Sequence, residues 1–276
     1  MGKSFETIRI DRNGAIAEVV LDRAKKLNAM TRGFFFEIKR AFEEIDADAD
    51  IRATIVWAEG KHFTAGLDLK EAMTGVLGAG NGDAKSAARR NLSLYHEIRD
   101  LQDCFSAIER CRKPVIAAVH SKCIGGGLDL ITACDVRLCS EDASFSIYET
   151  KIAIVADVGT LQRITPIVGK GMAREMAYTG KFVPADRALA CRLVNEVYAT
   201  KDALLAAARE MAHEIASNSP LAVQGAKVVL NYSEQHKIEE GLEHVAQWNS
   251  AFLMSNDVGE AMQAFIEKRK PEFKGE

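Results

Sequence analysis

The sequence predicts an α/β fold, a sheet covered by helices and followed by a helical tail, and three observations carry that expectation. Residues 5–57 read as strand, strand, helix, strand, an order that favours a sheet packed under helices. The apolar run 115–119 reads as a buried strand, and the glycines Gly125, Gly126 and Gly127 after it precede a helix beginning near Leu128. From Lys201 onward the pattern is nearly all helical, broken at Pro220 and around Ser255 and Asn256. A boundary near residue 200 therefore separates a sheet-containing core, 1–200, from a helical region, 201–276.

In chain order, residues 5–23 alternate well enough for two strands, 7–10 and 15–21, joined by Asp11-Arg-Asn-Gly14, where Asn-Gly is a hairpin signal. Thr31 is placed to cap a helix to about Ile45, with Phe35, Ile38, Phe42 and Ile45 on one face. Residues 54–57 form a third strand, ended by Gly60. The stretch 75–83 is Gly-rich and reads as an insertion loop. Residues 84–110 are helical, with Leu94, Ile98, Leu101, Phe105 and Ile108 recurring at core-packing spacing. Residues 135–139 and 144–147 read as strands, and 160–168 and 171–178 as short helices parted by Gly169. Residues 184–197 read as a helix feeding a last short strand. No internal repeat is visible in the residues themselves.

At 276 residues the chain is long enough to bury a sizeable core, and 47% hydrophobic with 27% charged residues is ordinary for a globular protein. The net charge of −3 and the absence of a lysine-rich helix face argue against a nucleic-acid partner. Six cysteines, at 104, 111, 123, 134, 139 and 191, form no CxxC pair, and several lie in apolar segments, so they read as reduced, buried thiols. The N-terminus carries an early acid and enters a strand pattern at once, leaving no room for a secretory or transit segment, and the C-terminus lacks Ser-Lys-Leu. The expected location is therefore cytoplasmic. No apolar run approaches membrane-spanning length, so no membrane partner is expected.

The chemistry narrows by exclusion. The six histidines form no His-x-x-x-His pair and no cysteine is spaced with them, so no metal site is expected. There is no Gly-x-Ser-x-Gly elbow, and the glycine run matches neither a dinucleotide fingerprint nor a P-loop. What remains is backbone donors plus carboxylates, the equipment of carbonyl polarisation and proton transfer. A helix opening on Gly-Gly-Gly presents bare N–H groups that suit an anion or an enolate oxygen. Asp129 sits on the first turn of that helix. Glycines after a strand can also make a mere tight turn, but Glu149 and Asp157 interrupt a stretch of Ile, Val, Ala and Gly, where carboxylates are rarely placed without a reason. In Lys61-His-Phe-Thr-Ala-Gly-Leu-Asp-Leu-Lys70, Ala65 and Gly66 permit close approach of a ligand or another backbone and leave the N–H of Leu67 as a second donor.

Several stretches together resemble the crotonase, or enoyl-CoA hydratase/isomerase, superfamily, from Leu21-Asp-Arg to Phe273. They are Phe63-Thr-Ala-Gly-Leu-Asp-Leu69, Lys113-Pro-Val-Ile-Ala-Ala-Val119, Gly125-Gly-Gly-Leu-Asp129, Cys134-Asp-Val-Arg137, Gln162-Arg163 and Ala264-Phe-Ile-Glu-Lys-Arg-Lys270. The resemblance implies a crotonase-like spiral of ββα repeats with a C-terminal helical trimerisation region, homotrimers often paired into hexamers, and an acyl-CoA thioester substrate in fatty-acid β-oxidation. Coenzyme A is then part of the substrate, and no cofactor is expected. The oxyanion hole falls on the N–H groups of Leu67 and Gly126, with Ala65, Gly66, Asp68 and Leu69 completing the substrate-binding loop. The hydratase acid/base positions fall on Asp129, where hydratases carry Glu, and Glu149. Asp157 stands where hydratases have Gly.

That last departure, within Glu149-Thr-Lys-Ile-Ala-Ile-Val-Ala-Asp-Val-Gly-Thr-Leu-Gln-Arg163, resembles the Δ3,5-Δ2,4-dienoyl-CoA isomerases. There the residue matching Asp157 takes a proton from C2, the one matching Glu149 protonates C6, and the one matching Asp129 helps hold Glu149. An enoyl-CoA hydratase, with Asp129 and Glu149 activating water, is the alternative. The resemblance also points to Lys25, Lys26, Phe265 and Lys268 for coenzyme A contacts, the last two from a neighbouring subunit. Ala24 replaces the family's usual Pro, and the three lysines read equally well as solvated charges. Residues 71–95 are expected to cover the acyl end.

Overall fold

The computed structural model describes residues 4–74 and 86–276, so the loop expected at 75–83 lies outside the described residues. Strands β1 (Ile8–Asn13) and β2 (Ile16–Leu21) pair antiparallel around a two-residue turn, with Gly14 at φ 59°. The turn is tighter than the sequence suggested because Asn13 still pairs with Ile16. Helix α1 (Arg32–Ala47) starts where expected: the Thr31 hydroxyl accepts the Phe34 N–H at 3.2 Å, satisfying one of the free donors of the first turn. Its buried face carries Phe34, Phe35, Ile38, Phe42 and Ile45.

Strand β3 (Ala53–Ala58) lies parallel to β2, and helices α2 (Leu69–Thr74) and α3 (Ala87–Arg110) precede β4 (Val115–Val119). The chain then alternates between two sheets. After β4 it adds β5 (Lys122–Ile124) to a small sheet before entering α4 (Gly126–Thr132). It returns to the large sheet as β6 (Val136–Ser140), and adds β7 (Ser144–Ser146) to the small sheet ahead of α5 (Thr160–Thr179). Strand β8 (Val183–Pro184) closes the small sheet, and α6 (Ala185–Ala190) leads to β9 (Glu196–Tyr198). The large sheet has the order β1-β2-β3-β4-β6-β9 and is parallel beyond its first hairpin; the small one has the order β5-β7-β8. From β4 onward the turns thus lay down a strand in each sheet and a helix outside, within the expected spiral of strand-strand-helix units. The sequence reading missed β5 and β8, since strands of three and two residues offer too few positions to show a period of two. Gly169, at φ 77° and ψ 160°, breaks α5 where two helices were expected.

Strands β2, β3 and β4 are buried at every position, as strands covered on both faces must be. Val19, Leu21, Val56, Val115 and Ala117 turn toward the cluster of Phe34, Phe42, Phe105 and Ile108. Ile16, Val20, Ile55, Trp57 and Ile116 turn the other way, beneath Leu204, Ala208 and Ala212 of α7 (Lys201–Ser217). The edges of the large sheet differ in character. On β1, Arg9 pairs with Asp11 at 2.9 Å, Asp22 at 3.2 Å and Glu59 at 2.9 Å; at the other edge, β9 is three residues long.

Three further helices, α8 (Pro220–Gln235), α9 (Ile238–Phe252) and α10 (Asn256–Glu267), complete the chain. The break between α8 and α9 holds neither Pro nor Gly and was not anticipated; the backbone N–H of Lys237 there donates to Glu240 Oε2 at 2.9 Å. These helices and the turn between α9 and α10 carry exposed apolar side chains, including Ile238 and Phe265 (85% exposed) on helices and Met254 (94%) in the turn. Among the described residues no helix is long and apolar enough to cross a membrane.

Helix α8 is seated by the buried ammonium of Lys227, which pairs with Asp135 at 2.7 Å and donates to the Lys113 carbonyl at 3.1 Å. Asp135 in turn accepts the Val115 N–H at 2.7 Å, so one carboxylate joins the helix to the start of β4. Removing one partner of such a pair strands the other charge. Lys227→Met should lower unfolding stability by about 3 kcal/mol, read as a lower urea midpoint with an unchanged slope.

Candidate active site

The site forms where three backbone segments meet. Residues 27–30 clamp residues 64–68 by four hydrogen bonds: Ala65 N–H to Leu27 O at 2.9 Å, Met30 N–H to Gly66 O at 2.8 Å, Asp68 N–H to Met30 O at 2.8 Å and the Thr64 hydroxyl to Asn28 O at 2.7 Å. Buried Asn28 holds the clamp, at φ 51°, a left-handed conformation that Asn tolerates better than most residues. Its amide donates to the carbonyls of Glu59 at 2.8 Å and His62 at 2.9 Å, and its oxygen accepts the Arg23 N–H at 2.9 Å. Thr64 bridges in turn to Cys123 of β5, so the loop extends the small sheet.

Glycine is required at this junction. A Cβ on Gly66, at φ 82°, would lie 2.8 Å from the Ile124 carbonyl; one on Gly126 would lie 2.8 Å from Met30 Sδ; and one on Gly127 would lie 2.8 Å from Cys123 Sγ. The close approach brings the peptide after Gly66 alongside the peptide before Gly126. Gly66 N–H is satisfied by Thr64 Oγ1 at 3.0 Å, whereas the N–H groups of Leu67 and Gly126 have no acceptor among the described residues. Leu67 is 37% exposed, so this part of the junction is open to solvent. Two preorganised donors of this kind can stabilise a developing oxyanion.

The three acids act on one another, and one of them, Glu149, lies against Gly125. Asp129, 1% exposed, is held through Oδ1 by the N–H and hydroxyl of Thr160 at 2.6 and 2.7 Å, while its Oδ2 is buried without a partner. Glu149 follows the small sheet in a 3₁₀ turn, Glu149–Ile152, with its Oε1 3.1 Å from where a Cβ on Gly125 would be; its Oε2 is also buried and unpartnered. Burial pushes the Asp129 carboxyl up to about 6, against the pull of the Thr160 bonds, and the charge of Asp157 adds to the rise. Burial, then the charges of Asp129 and Asp157, push Glu149 up to about 7. Asp157 is exposed by area, yet the protein around its carboxyl holds it above the ordinary value through desolvation. The carboxylate of Asp157 is thus close enough to act on both other acids while remaining open to solvent.

Not every expected residue joins them. Asp68 turns to Arg23 at 3.5 Å and to the Glu71 N–H at 3.4 Å, at the start of α2. Leu69 is exposed beside it, and Ala65 is half-buried in the clamp. Lys25 and Lys26 lie exposed in a 3₁₀ turn, Ala24–Lys26, next to the clamp. Phe265 and Lys268 stand exposed at the end of α10, and no hydrogen bond or ion pair among the described residues joins them to residues 24–30 or 64–69. The sequence reading passed over Thr160 and Asn28. A hydroxyl directly after Gly159 at a helix start, and an Asn between a strand and a capped helix, were the available signs.

The family described as enoyl-CoA hydratase/isomerase matches residues 11–276. The chain is 47% identical over 273 residues to a Delta(3,5)-Delta(2,4)-dienoyl-CoA isomerase, mitochondrial, of Dictyostelium discoideum, covering 98% of this chain and 92% of that protein. It is 43% identical to the peroxisomal protein of the same activity name from Arabidopsis thaliana, covering 98% and 97% of the two chains. The crystal structure of enoyl-CoA hydratase from Bacillus anthracis superposes with a TM-score of 0.88 at 32% identity, covering 98% of this chain and all of that one. The relatives' mitochondrial and peroxisomal names overturn the cytoplasmic location expected from the sequence. Buried, reduced cysteines report packing and redox setting, and organelle addresses are read by receptors from signals that the folded core does not encode.

The raised acids bear on stability. Asp129 and Glu149 bind protons more tightly in the folded chain than at their ordinary values of 3.8 and 4.5. Their contribution is therefore fully present below about pH 4 and is lost as pH rises through about 6 to 7. Glu149→Gln should flatten this fall and raise stability at pH 8 by on the order of 2 kcal/mol over the parent chain, measured by denaturant unfolding across pH.

Proposed function

Since the chain belongs to the enoyl-CoA hydratase/isomerase family, we propose that it is an isomerase that shifts the double bonds of a dienoyl-CoA thioester from Δ3,5 to Δ2,4. The thioester oxygen sits between the N–H groups of Leu67 and Gly126. Asp157, open to solvent and ionised, removes a proton from C2, and the electron pair spreads over C2 to C6 and the thioester oxygen as a dienolate. Glu149, protonated near neutral pH, delivers a proton to C6, leaving double bonds at C2 and C4. Asp157 has gained the proton that Glu149 has lost, and exchange with solvent restores both. Asp129, fixed by Thr160, keeps its charge beside Glu149 and so favours the protonated acid. The chemistry calls on backbone donors and carboxylates alone.

The observation that carries this reading is the division among the three acids: a carboxyl raised to about 7 by burial and then by its acidic neighbours, and an exposed carboxylate beside it. Environments that push acids apart assign one as proton donor and one as base. The isomerase names of relatives at 47% and 43% identity support the same activity. The hydratase alternative uses Asp129 and Glu149 on a water and leaves Asp157 without a task. Coenzyme A phosphates lie near Lys25 and Lys26 in this proposal, and its adenine end near Phe265 and Lys268 of a second copy. The exposed apolar side chains of α10, among them Met262, Phe265 and Ile266, support assembly into a homotrimer or hexamer.

Asp157→Asn should reduce conversion of a 3,5-dienoyl-CoA by about a thousandfold, with fold and coenzyme A binding retained. The growth of conjugated dienoyl-thioester absorbance reads the rate directly. Undiminished activity in that variant, or rapid hydration of a 2-trans-enoyl-CoA by a parent enzyme inert toward the diene, would refute the assignment.

A further inference from the structure

We propose that Gln102, on α3, is a positioning residue for the general base: its side-chain amide fixes the backbone at Asp157 and so sets where that carboxylate stands. The inference rests on the reading of Asp157 as the base.

The backbone of residues 155–158 is almost bare of hydrogen bonds. It runs between Ala153, at φ 58°, and Gly159, at φ 132°, and takes part in no backbone–backbone hydrogen bond with any described residue. Ala156 and Val158 are buried in the core while Val155 and Asp157 face outward, the alternation of an extended chain. Apolar packing of two small side chains holds the segment down but gives little direction along it. The directional restraint is the Gln102 Nε2–H, which donates to the Asp157 carbonyl at 2.6 Å. Arg99 in turn donates to Gln102 Oε1 at 2.7 Å, which fixes the amide with its NH₂ group toward Asp157.

Helix α3 secures the far end of the segment as well. The Arg163 guanidinium fills the space beneath Gly159, where any Cβ would collide with it, and is tied to α3 through Glu109 at 2.7 Å and Ser106 at 3.1 Å. One residue on, Thr160 grips Asp129. The contacts from α3 therefore align the base with the acid pair. Gln102 and Arg163 also line an open cavity of about 1090 Å³ behind the segment. Gln102 stands at the rim of that cavity and not in the core, so replacing it leaves the packing of the fold in place.

Gln102→Met keeps length and volume but can neither donate nor accept. On a 3,5-dienoyl-CoA it should lower kcat about tenfold with KM within about twofold of the parent value and an unchanged thermal midpoint. The freed carboxylate moves toward solvent, so the acid limb of the kcat/KM profile should shift to lower pH. The titratable groups that feel the Asp157 charge in that measurement are Asp129 on α4 and Glu149 in the 3₁₀ turn, while Arg99 on α3 and Arg163 on α5 contact its neighbours Gln102 and Gly159. Gln102→Glu, which keeps a partner for Arg99 but turns an oxygen on the Asp157 carbonyl, should lose at least as much. Parent-like kcat with an unmoved acid limb in Gln102→Met would overturn the proposal. So would a rate loss accompanied by a raised KM or a lowered thermal midpoint. Asp157→Asn, assayed alongside, separates the two levels: if it is inactive while Gln102→Met is normal, only the positioning role fails; if it is active, the base assignment fails.

Discussion

The lack of a side chain at three glycines is the constraint on which the site depends, since Gly66 packs on the Ile124 carbonyl, Gly126 on the Met30 sulfur and Gly127 on the side chains of Thr64 and Cys123. Residues 27–30, 64–68 and 123–127 approach so closely that Gly66, Gly126 and Gly127 have no room for a methyl group. Their convergence leaves the N–H groups of Leu67 and Gly126 without an acceptor among the described residues, whereas the Gly66 N–H is taken by Thr64 Oγ1. Preorganised donors of this kind need no reorientation when charge develops, which is the source of their strength. The rest of the spiral serves to bring the segments together, since the small sheet carries the second and third of them through the bridge from Thr64 to Cys123.

Around that junction the protein accepts an electrostatic load. Three acids stand within reach of one another, two of them with a buried oxygen that has no partner. Burial acts on all three, but Asp129 is served by the N–H and hydroxyl of Thr160, whereas Glu149 has backbone N–H groups at 148 and 149 and also feels the charges of Asp129 and Asp157. The asymmetry follows from position. Asp129 faces the start of α5, where backbone and hydroxyl donors are available, while Glu149 lies against Gly125, which has no side chain to donate. Two carboxyls of similar chemistry are in this way set to different proton affinities.

Much of this was legible in the residues. The hairpin, the Thr31 cap, the buried strands and the glycine run each follow from local chemistry that the tertiary structure leaves intact, and Asp129, Glu149 and Asp157 stood out as acids among apolar neighbours. The hidden parts have a common cause, namely that they depend on partners distant in sequence. Strands β5 and β8 are too short for a period. Thr160 matters because α5 begins beside α4, and Gln102 because α3 passes behind residue 157, a juxtaposition no spacing records. Phe265 and Lys268 illustrate the opposite case: a family pattern names them, yet within one copy of the chain they stand apart from the clamp.

The two borders of the large sheet govern how copies can meet. A strand border with free amides and carbonyls invites another strand to add on, and long, flat, apolar borders are where chains aggregate. Here one border is dressed with Arg9, paired to Asp11, and Arg12, paired to Asp48, and the other is only three residues long. Strand addition from one molecule to the next, and with it an open-ended ribbon, is thereby discouraged at both.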